Sequence, residues 1–266
     1  MYIESGRFMM YSYLNTALKA GEIMLRNGSD TYRIQRVMEL ILSGPEILRS
    51  DIIVIGTALI VTVIYKEHDP VTMTRVIDKR MQSLGKLSLV TAVAESIRDG
   101  SITLEEADLR LKEIDALQPY SIIQKVLTTS LVSALFTVGF GGTIQAALAI
   151  ALITIIPSAF MQISYARNYP FFLSNIITGG LVSLLSLMLL QFLPLLHFDK
   201  MIASVIVIFT PGIMAITAIR DAVNGDFITG ASRGIEALLL AAGLSIGVGA
   251  VFALYVYLTG GVIWTF

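Results

Sequence analysis

The sequence predicts an α-helical integral membrane protein in which five transmembrane helices follow a small cytoplasmic α+β domain. Hydrophobic residues make up 55% of its 266 positions and the mean hydropathy is +0.76, more apolar than ordinary soluble domains. Residues 1–120 hold 14 of the 19 Lys and Arg residues and 16 of the 20 Asp and Glu residues. We therefore expect a soluble domain over residues 1–120 and a membrane domain over residues 121–266.

The N-terminal domain is expected to begin with a helical hairpin. Apolar side chains recur on one helical stripe, and Gly28 follows where a left-handed C-terminal residue is favoured. Ser29 or Asp30 can cap a second helix. The stripe comprises Tyr11, Leu14, Leu18 and Leu25, and in the second helix Val37, Leu40 and Ile41 share a face.

A small antiparallel sheet and two more helices complete this domain in our interpretation. Residues 51–65 are apolar, but they are fewer than the about 20 residues that a helix needs to cross the hydrocarbon layer, and they are rich in β-branched side chains. With "KEHDP" as a turn and residues 71–77 returning, two or three strands are expected. Val90, Val93, Ala94 and Ile97 form one helical stripe, and Thr103-x-x-Glu106 is a capping-box pattern that opens another helix.

Several kinds of chemistry are excluded or disfavoured by residue content. The chain has no Cys, which excludes disulfides, thiolate catalysis and Cys-based metal sites. We find no catalytic pair, phosphate loop, metal-ligand spacing or basic stripe, so we expect no enzyme activity, no cofactor or metal, and no nucleic-acid partner. His68 is interpreted as a solvated turn residue. Arg26, Asp30, Arg33 and Arg36 form either a ligand patch or a capped, solvated helix face.

Five membrane spans are expected, at about 122–140, 143–164, 171–193, 201–219 and 234–258. No secretory signal pattern precedes them. Lys125, Arg167, Arg220 and Arg233 lie at span ends on the side of the first domain, whereas Lys200 lies on the other side. By the positive-inside rule, the N-terminal domain is cytoplasmic and the C-terminus lies outside.

Two features of spans four and five are unusual. Pro211-Gly212 falls within span four, and proline removes a backbone donor, so we expect the helix to be kinked or locally unwound there. Discontinuous helices of this type build transporter substrate sites, although a simple packing kink is an equal alternative. Gly243 and Gly247 in span five permit close helix approach, either within the chain or between subunits.

Four blocks of sequence, taken in order, resemble the threonine/serine exporter family, specifically its N-terminal half-type subunit. They are residues 21–41, 57–77, 211–221 and 224–249, and the most specific feature is Pro211-Gly212 followed by Asp221 and the pattern G-D-x-x-x-G-x-x-R. The resemblance implies a multi-pass exporter in the bacterial inner membrane. Its substrates would be small amino acids, threonine- or serine-like, or succinate-like dicarboxylates, and a proton would be the coupling ion.

The resemblance also implies partners other than the lipid bilayer and the small-molecule substrate. Full-length members resemble two fused membrane halves, so this chain is similar to the split form, as in the succinate exporter of enterobacteria. A second, smaller membrane subunit is expected, or else a homo-oligomer. A membrane-anchored sensor whose cytoplasmic domain binds a small ligand is the alternative, and it would need no polar path through the spans.

A zwitterionic or dianionic solute needs a cation for its carboxylate, and Arg220 and Arg233 are the arginines close to spans four and five. Asp221 and Glu236 would balance them and could receive an ammonium group or a proton. The alternative is a solvated belt of charges at the membrane surface. The expected substrate path comprises Asn175, Thr210, Pro211, Gly212, Arg220, Asp221, Asp226, Arg233 and Glu236.

Overall fold

A computed structural model describes residues 2–77, 82–117, 120–192 and 198–260. The first compact unit contains the described residues between 2 and 117 together with Ile213–Gly234, and the second contains those between 120 and 212 together with 235–260. We call them the N-terminal unit and the helical unit. The expected division at residue 120 places residues 213–234 in the membrane domain, whereas by their contacts they belong to the N-terminal unit.

The N-terminal unit begins with the helical hairpin that the sequence predicts. Helix α1 (Tyr2–Arg26) is followed by a turn at Gly28, whose φ of 85° is left-handed. The Ser29 amide donates to the Met24 carbonyl over 3.1 Å and closes this turn. Helix α2 (Thr31–Ile41) is capped by Asp30. Leu14, Leu18 and Leu25 are buried as expected, while the Tyr11 side chain lies outside the described part of the structure.

A three-stranded antiparallel sheet follows, in the order β1 (Ile47–Ile55), β2 (Ala58–Tyr65) and β3 (Val71–Val76). The predicted apolar run is split by a tight turn at Gly56, because Ile55 pairs directly with Ala58. Strand β2 buries alternate side chains, which is the pattern of a sheet covered on one face. These side chains are Leu59, Val61, Val63 and Tyr65.

Helices α3 (Leu84–Arg98) and α4 (Leu104–Ala116) complete the core of this unit. The Thr103 hydroxyl accepts from the Glu106 amide at 3.2 Å, as the capping pattern predicts. Val90, Val93 and Ala94 are buried on α3. All four helices and β2 contribute to one hydrophobic cluster, so the α+β prediction for this region is confirmed.

Four helical segments are long and apolar enough to cross a membrane, or five if one bent pair counts as a single span. The helices are α5 (Ile122–Gly139), α6 (Ile144–Ile153), α7 (Ile155–Ala166), α8 (Phe171–Phe192), α9 (Phe198–Phe209), α10 (Gly212–Val223) and α11 (Phe227–Thr259). Helices α6 and α7 count as one span, and α9 with α10 form the bent pair.

The last helix begins earlier than the sequence predicts. Instead of starting near residue 234, α11 starts at Phe227, because Asp226 accepts the Thr229 amide at 3.1 Å and caps it. The charged residues between the last two predicted spans therefore lie mostly on helices, and only residues 224–226 connect α10 to α11.

Two prolines coincide with breaks in the helical unit. The helix is interrupted at Thr210 and Pro211, which confirms the local unwinding predicted there. Helix α9 alone has 12 residues and rises about 18 Å, short of the about 30 Å of hydrocarbon. A second break at Thr154 precedes Pro157, which lacks the amide that would bond to the carbonyl four residues earlier.

The two glycines of the α11 pattern, Gly243 and Gly247, pack against α8 of the same chain. A Cβ atom built on Gly247 would lie 1.9 Å from the Ile176 carbonyl oxygen of α8, and one built on Gly243 would lie 2.9 Å from the Phe172 carbonyl oxygen. Backbone-to-backbone approach this close requires glycine. Of the two alternatives, internal packing therefore describes these glycines.

Candidate functional site

The Asp221 carboxylate lies at the centre of a buried polar cluster in the N-terminal unit. Its side chain is fully buried. Oδ1 accepts from the Thr31 backbone amide at 2.8 Å and from the Thr31 hydroxyl at 3.0 Å, and Oδ2 accepts from Arg233 Nη1 at 2.7 Å. Charge-assisted hydrogen bonds to both oxygens compensate the desolvation of the carboxylate.

Arg233 supplies the matching cation. Only 6% of its side chain is exposed, and Nη2 donates to the Ser29 carbonyl at 2.9 Å. Its planar guanidinium thus joins Asp221 of α10 to the turn between α1 and α2. We call Ser29, Thr31, Asp221 and Arg233 the buried carboxylate cluster.

The position of Thr31 explains why its amide is available. Thr31 is the first residue of α2, so its backbone N–H has no partner within the helix. Asp30 is occupied with the Arg33 amide at 2.9 Å and with Arg220 Nη1 at 3.1 Å. The N-terminus of α2 therefore receives two carboxylates, a favourable arrangement with respect to the helix dipole.

A tight turn holds Asp221 and Arg233 on adjacent helices. Gly225 has a φ of 92°, and the Asp226 amide donates to the Asp221 carbonyl over 2.9 Å, which forms a Schellman motif. A Cβ atom on Gly230 would lie 2.9 Å from the Ala218 carbonyl oxygen, so α10 and the start of α11 are in close contact.

The structure places the predicted path residues in two groups. Four of them lie in the N-terminal unit, namely Arg220, Asp221, Asp226 and Arg233. Arg220, Asp221 and Arg233 contact residues 29–31, where the α1–α2 turn meets the start of α2. Asp221 and Arg233 are buried, so the alternative of a solvated belt does not describe these two residues. Arg220 is 57% exposed.

The remaining path residues belong to the helical unit. Asn175 is buried and donates to the Phe171 carbonyl of its own helix at 2.9 Å. The hydroxyl of Thr210, an exposed residue, donates to the Ile206 carbonyl at 2.7 Å, and a Cβ atom on Gly212 would meet no atom within 4 Å. Pro211 and Glu236 are half-buried.

Sequence reasoning missed Ser29 and Thr31 as members of the site. The sequence indicates two roles for Asp30, as a helix cap or as part of a patch with neighbouring arginines. A signal was present, because the "RNGSDT" turn and the "AIRD" and "GASRG" segments all lie in the blocks that carry the family resemblance. Their contact joins positions about 190 residues apart, which no local pattern reveals.

Many hydroxyl groups are buried between the helices of the helical unit, and we call this set of buried Ser and Thr side chains the hydroxyl-lined interior. The buried face of α5 consists of Val126, Ser130, Ser133 and Thr137, whereas Leu127, Leu131 and Leu135 point outward and are exposed. The Thr137 hydroxyl donates to the Ser204 hydroxyl of α9 at 2.8 Å. Within the described residues, the buried hydroxyls of Ser130, Ser164, Ser183 and Ser186 have no hydrogen-bond partner.

Such an arrangement offers hydrogen-bonding groups to a polar solute or to water. Serine and threonine hydroxyls both donate and accept hydrogen bonds, which suits hydrated or zwitterionic solutes. Among the described residues, no group of three or more His, Asp or Glu side chains is placed to hold a metal ion. The buried carboxylate cluster and the hydroxyl-lined interior are therefore candidate sites for polar groups in the described part of the chain.

Comparison with known proteins agrees with these features. The family model of the threonine/serine exporters, ThrE, matches residues 15–255. A threonine/serine exporter from Corynebacterium glutamicum is 27% identical over 248 residues, which cover 89% of this chain and 50% of that protein. The chain thus spans half the length of this curated relative, and no solved structure matches it. The family match extends over both the buried carboxylate cluster and the hydroxyl-lined helices, and the chain belongs to the threonine/serine exporter family.

Proposed function

We propose that this chain forms one membrane half of an exporter for small amino acids such as threonine and serine, or for dicarboxylates such as succinate. Transport out of the bacterial cell is driven by the proton gradient. The observation that carries the proposal is the hydroxyl-lined interior of the helical unit. It is supported by membership of the family and by the name of the Corynebacterium relative.

The α5 hydroxyl stripe favours transport over anchoring. A membrane anchor gains nothing from buried hydroxyls, since each one without a partner costs about 1–3 kcal/mol. Most Ser and Thr side chains in helices bond to their own backbone, as Thr129 and Ser133 do here. Ser130, Ser183 and Ser186 show no such bond within the described structure, so they remain able to bind a passing solute or water.

The proposed substrate path combines the nine residues that the sequence predicts. Its cytoplasmic end is formed by Arg220, Asp221, Asp226 and Arg233, and its deeper part by Asn175, Thr210, Pro211, Gly212 and Glu236. The broken helix at Pro211 supports this assignment, because unwound backbone at membrane depth is tolerated where it is buried or lines a wet cavity.

Flux measurements test the proposal directly. The chain is reconstituted in proteoliposomes with a complementary membrane half of the family, and labelled threonine, serine and succinate are followed. We expect saturable flux of at least one of them, which a protonophore reduces to background. Flux that is unaffected by the protonophore would contradict proton coupling, and the absence of flux for all three solutes would contradict the proposed substrate class.

Gly212→Leu is the matched variant for the path, with Gly249→Leu as the control on α11. A Cβ atom at either position meets no atom within 4 Å, so the two positions are matched in the space next to the backbone. We expect Gly212→Leu to lose most of the flux and Gly249→Leu to retain it. Undiminished export by this chain alone, in a host without any complementary half, would favour a homo-oligomer.

The proposed topology has the N-terminal domain in the cytoplasm and the C-terminus outside the inner membrane. The charges at the span ends support this orientation: Lys125, Arg167, Arg220 and Arg233 are on the side of the N-terminal domain and Lys200 is on the other side. Five crossings then leave the C-terminus on the side opposite to the N-terminus.

Because the chain has no Cys, single engineered cysteines report this topology without background labelling. We expect Thr259→Cys to react with an impermeant thiol reagent on intact cells, and Ser101→Cys to react only after permeabilisation. Both positions are exposed in the structure. The reverse labelling pattern would overturn the orientation, and labelling of both positions on intact cells would overturn the number of crossings.

One observation favours the alternative function as a sensor. A cleft of about 390 Å³ on the N-terminal unit is lined by polar and charged side chains. They include Tyr32, Gln35, Arg36, Glu39 and Arg98, with opposite charges suited to a zwitterion. The test is a variant with Arg36→Ala and Arg98→Ala. A sensing role would be favoured if its maximal export rate equals that of the parent but the rate no longer changes with the concentration of internal solute.

A further inference from the structure

The buried carboxylate cluster contains a site for a carboxylate that is occupied by a side chain of the same protein. Three donors converge on the Asp221 carboxylate: the Thr31 amide, the Thr31 hydroxyl and the Arg233 guanidinium, at 2.7 to 3.0 Å. Two of the donors come from the first residue of α2 and the third from α11. Removing the carboxylate would take the acceptor from the buried Thr31 amide and hydroxyl and the anionic partner from Arg233 Nη1, so the site favours an anion of this shape.

The same turn offers features that a carboxylate does not use. Within the described residues, Asn27 Oδ1 and Ser29 Oγ are buried and have no hydrogen-bond partner. Asn27 is held by its amide nitrogen, which donates to the Ile23 carbonyl at 2.7 Å. A carbonyl-type oxygen and a hydroxyl without partners are acceptors for an ammonium group. Unused acceptors for a cation thus lie at Asn27 and Ser29, close in the chain to Thr31, which provides two donors of the anion site.

The site also has a cation at its exposed side. Arg220 is 57% exposed, yet Nη1 donates to Asp30 Oδ2 at 3.1 Å, next to Thr31 in the chain. The exposed part of this guanidinium is accessible to the carboxylate of a solute, and such an interaction weakens as salt increases.

We propose that Thr31 and Arg233 form a receptor for the carboxylate of the exported solute, and that Asp221 occupies this receptor while the solute is absent. This proposal rests on the proposed function for the identity of the solute, a small amino acid or dicarboxylate. When the solute carboxylate replaces the Asp221 carboxylate, α10 is released from α2. Asp221 then becomes available to a proton. No covalent step is involved.

An internal occupant has a measurable consequence for affinity. The receptor is open to a solute only for the fraction of time in which Asp221 has left it, and the apparent affinity is reduced by that fraction. Removing the Asp221 carboxylate therefore strengthens the binding of an external carboxylate, whereas loss of an ordinary binding residue weakens it.

The test uses the whole chain purified in detergent, with formate as the probe. We expect Asp221→Ala to melt below the parent, and formate to raise its melting temperature by at least about 3 °C relative to chloride at equal ionic strength. Asp221→Asn is the matched control, because the amide fills the site and leaves no space for formate. Asp221→Ala/Arg233→Gln should show no response to formate. If Asp221→Ala fails to accumulate, Asp221→Ser replaces it.

Binding of threonine and succinate completes the test. We expect the solute that the parent exports to bind at least about tenfold more tightly to Asp221→Ala than to the parent. Equal stabilisation by formate and chloride, or weaker solute binding to the variant, would overturn the receptor. These readouts need no flux, so if the parent exports solute but Asp221→Ala shows neither effect, this inference alone is disproved. A formate response without export leaves the receptor standing and disproves the transport function.

Discussion

Arg233→Gln is expected to lower the free energy of unfolding of the N-terminal unit by about 3–5 kcal/mol. The substitution leaves the fully buried Asp221 carboxylate without its cation, and it also removes a donor to the Ser29 carbonyl. Solvent denaturation of the purified chain, followed by a probe in the N-terminal unit, measures the loss. Flux is expected to fall with it, and equalised protein levels separate the two effects.

Arg220→Gln is the matched control for Arg233→Gln. Its guanidinium also binds a buried carboxylate, that of Asp30, but the Arg220 side chain is 57% exposed. Ion pairs at exposed positions contribute about 0–1 kcal/mol. An equal loss of stability in the two variants would contradict the importance of burial.

A double substitution tests whether Asp221 and Arg233 act as a pair. In Asp221→Leu/Arg233→Met both charges are removed, so neither is left buried and uncompensated. The stability loss should then be smaller than the sum of the two single losses. Additive losses would show that the two side chains stabilise the unit independently.

Gly247→Ala is expected to disrupt the packing of α8 against α11. The new methyl carbon would lie 1.9 Å from the Ile176 carbonyl oxygen and 2.8 Å from the Gly180 amide nitrogen, so the two helices must move apart. Overpacking of this type costs about 1–3 kcal/mol and sometimes more, because backbone atoms cannot rotate away. The melting temperature of the purified chain in detergent measures the effect.

Gly249→Ala, two residues further along α11, provides the control. A Cβ atom there meets no atom within 4 Å, and alanine is the better helix former by about 0.5–1 kcal/mol. We expect unchanged or slightly higher stability. Equal destabilisation by both substitutions would contradict the assignment of the glycine requirement at position 247 to the α8 contact.

Much of the fold could be predicted because its signals are local. Gly28, the Thr103-x-x-Glu106 cap and the break at Pro211 each depend on the conformational preferences of one or a few residues. Hydropathy over about 20 residues likewise predicts where helices are apolar enough to cross a membrane. Such patterns do not depend on which other segment of the chain a residue contacts.

The candidate site could be predicted only in part. Arg220, Asp221 and Arg233 attracted notice because charges are rare in that half of the chain. Their partners Asp30 and Thr31 did not, since a polar turn between two helices has an ordinary explanation as a cap and a loop. Helix α11 extends beyond the predicted span of about 234–258, because the hydropathy criterion stops short of Arg233 whereas capping by Asp226 starts the helix at Phe227.

The N-terminal unit is discontinuous in the chain, and this affects when it can finish folding during synthesis. Residues 213–234, which supply Asp221 and Arg233, are made only after α5 to α9. At ordinary bacterial and eukaryotic elongation rates, the ribosome needs roughly 5–20 s to make the intervening segment. Throughout that interval the Thr31 amide and the Ser29 carbonyl await their partners. The nascent domain is therefore completed only after the helices that precede α10 have been translated.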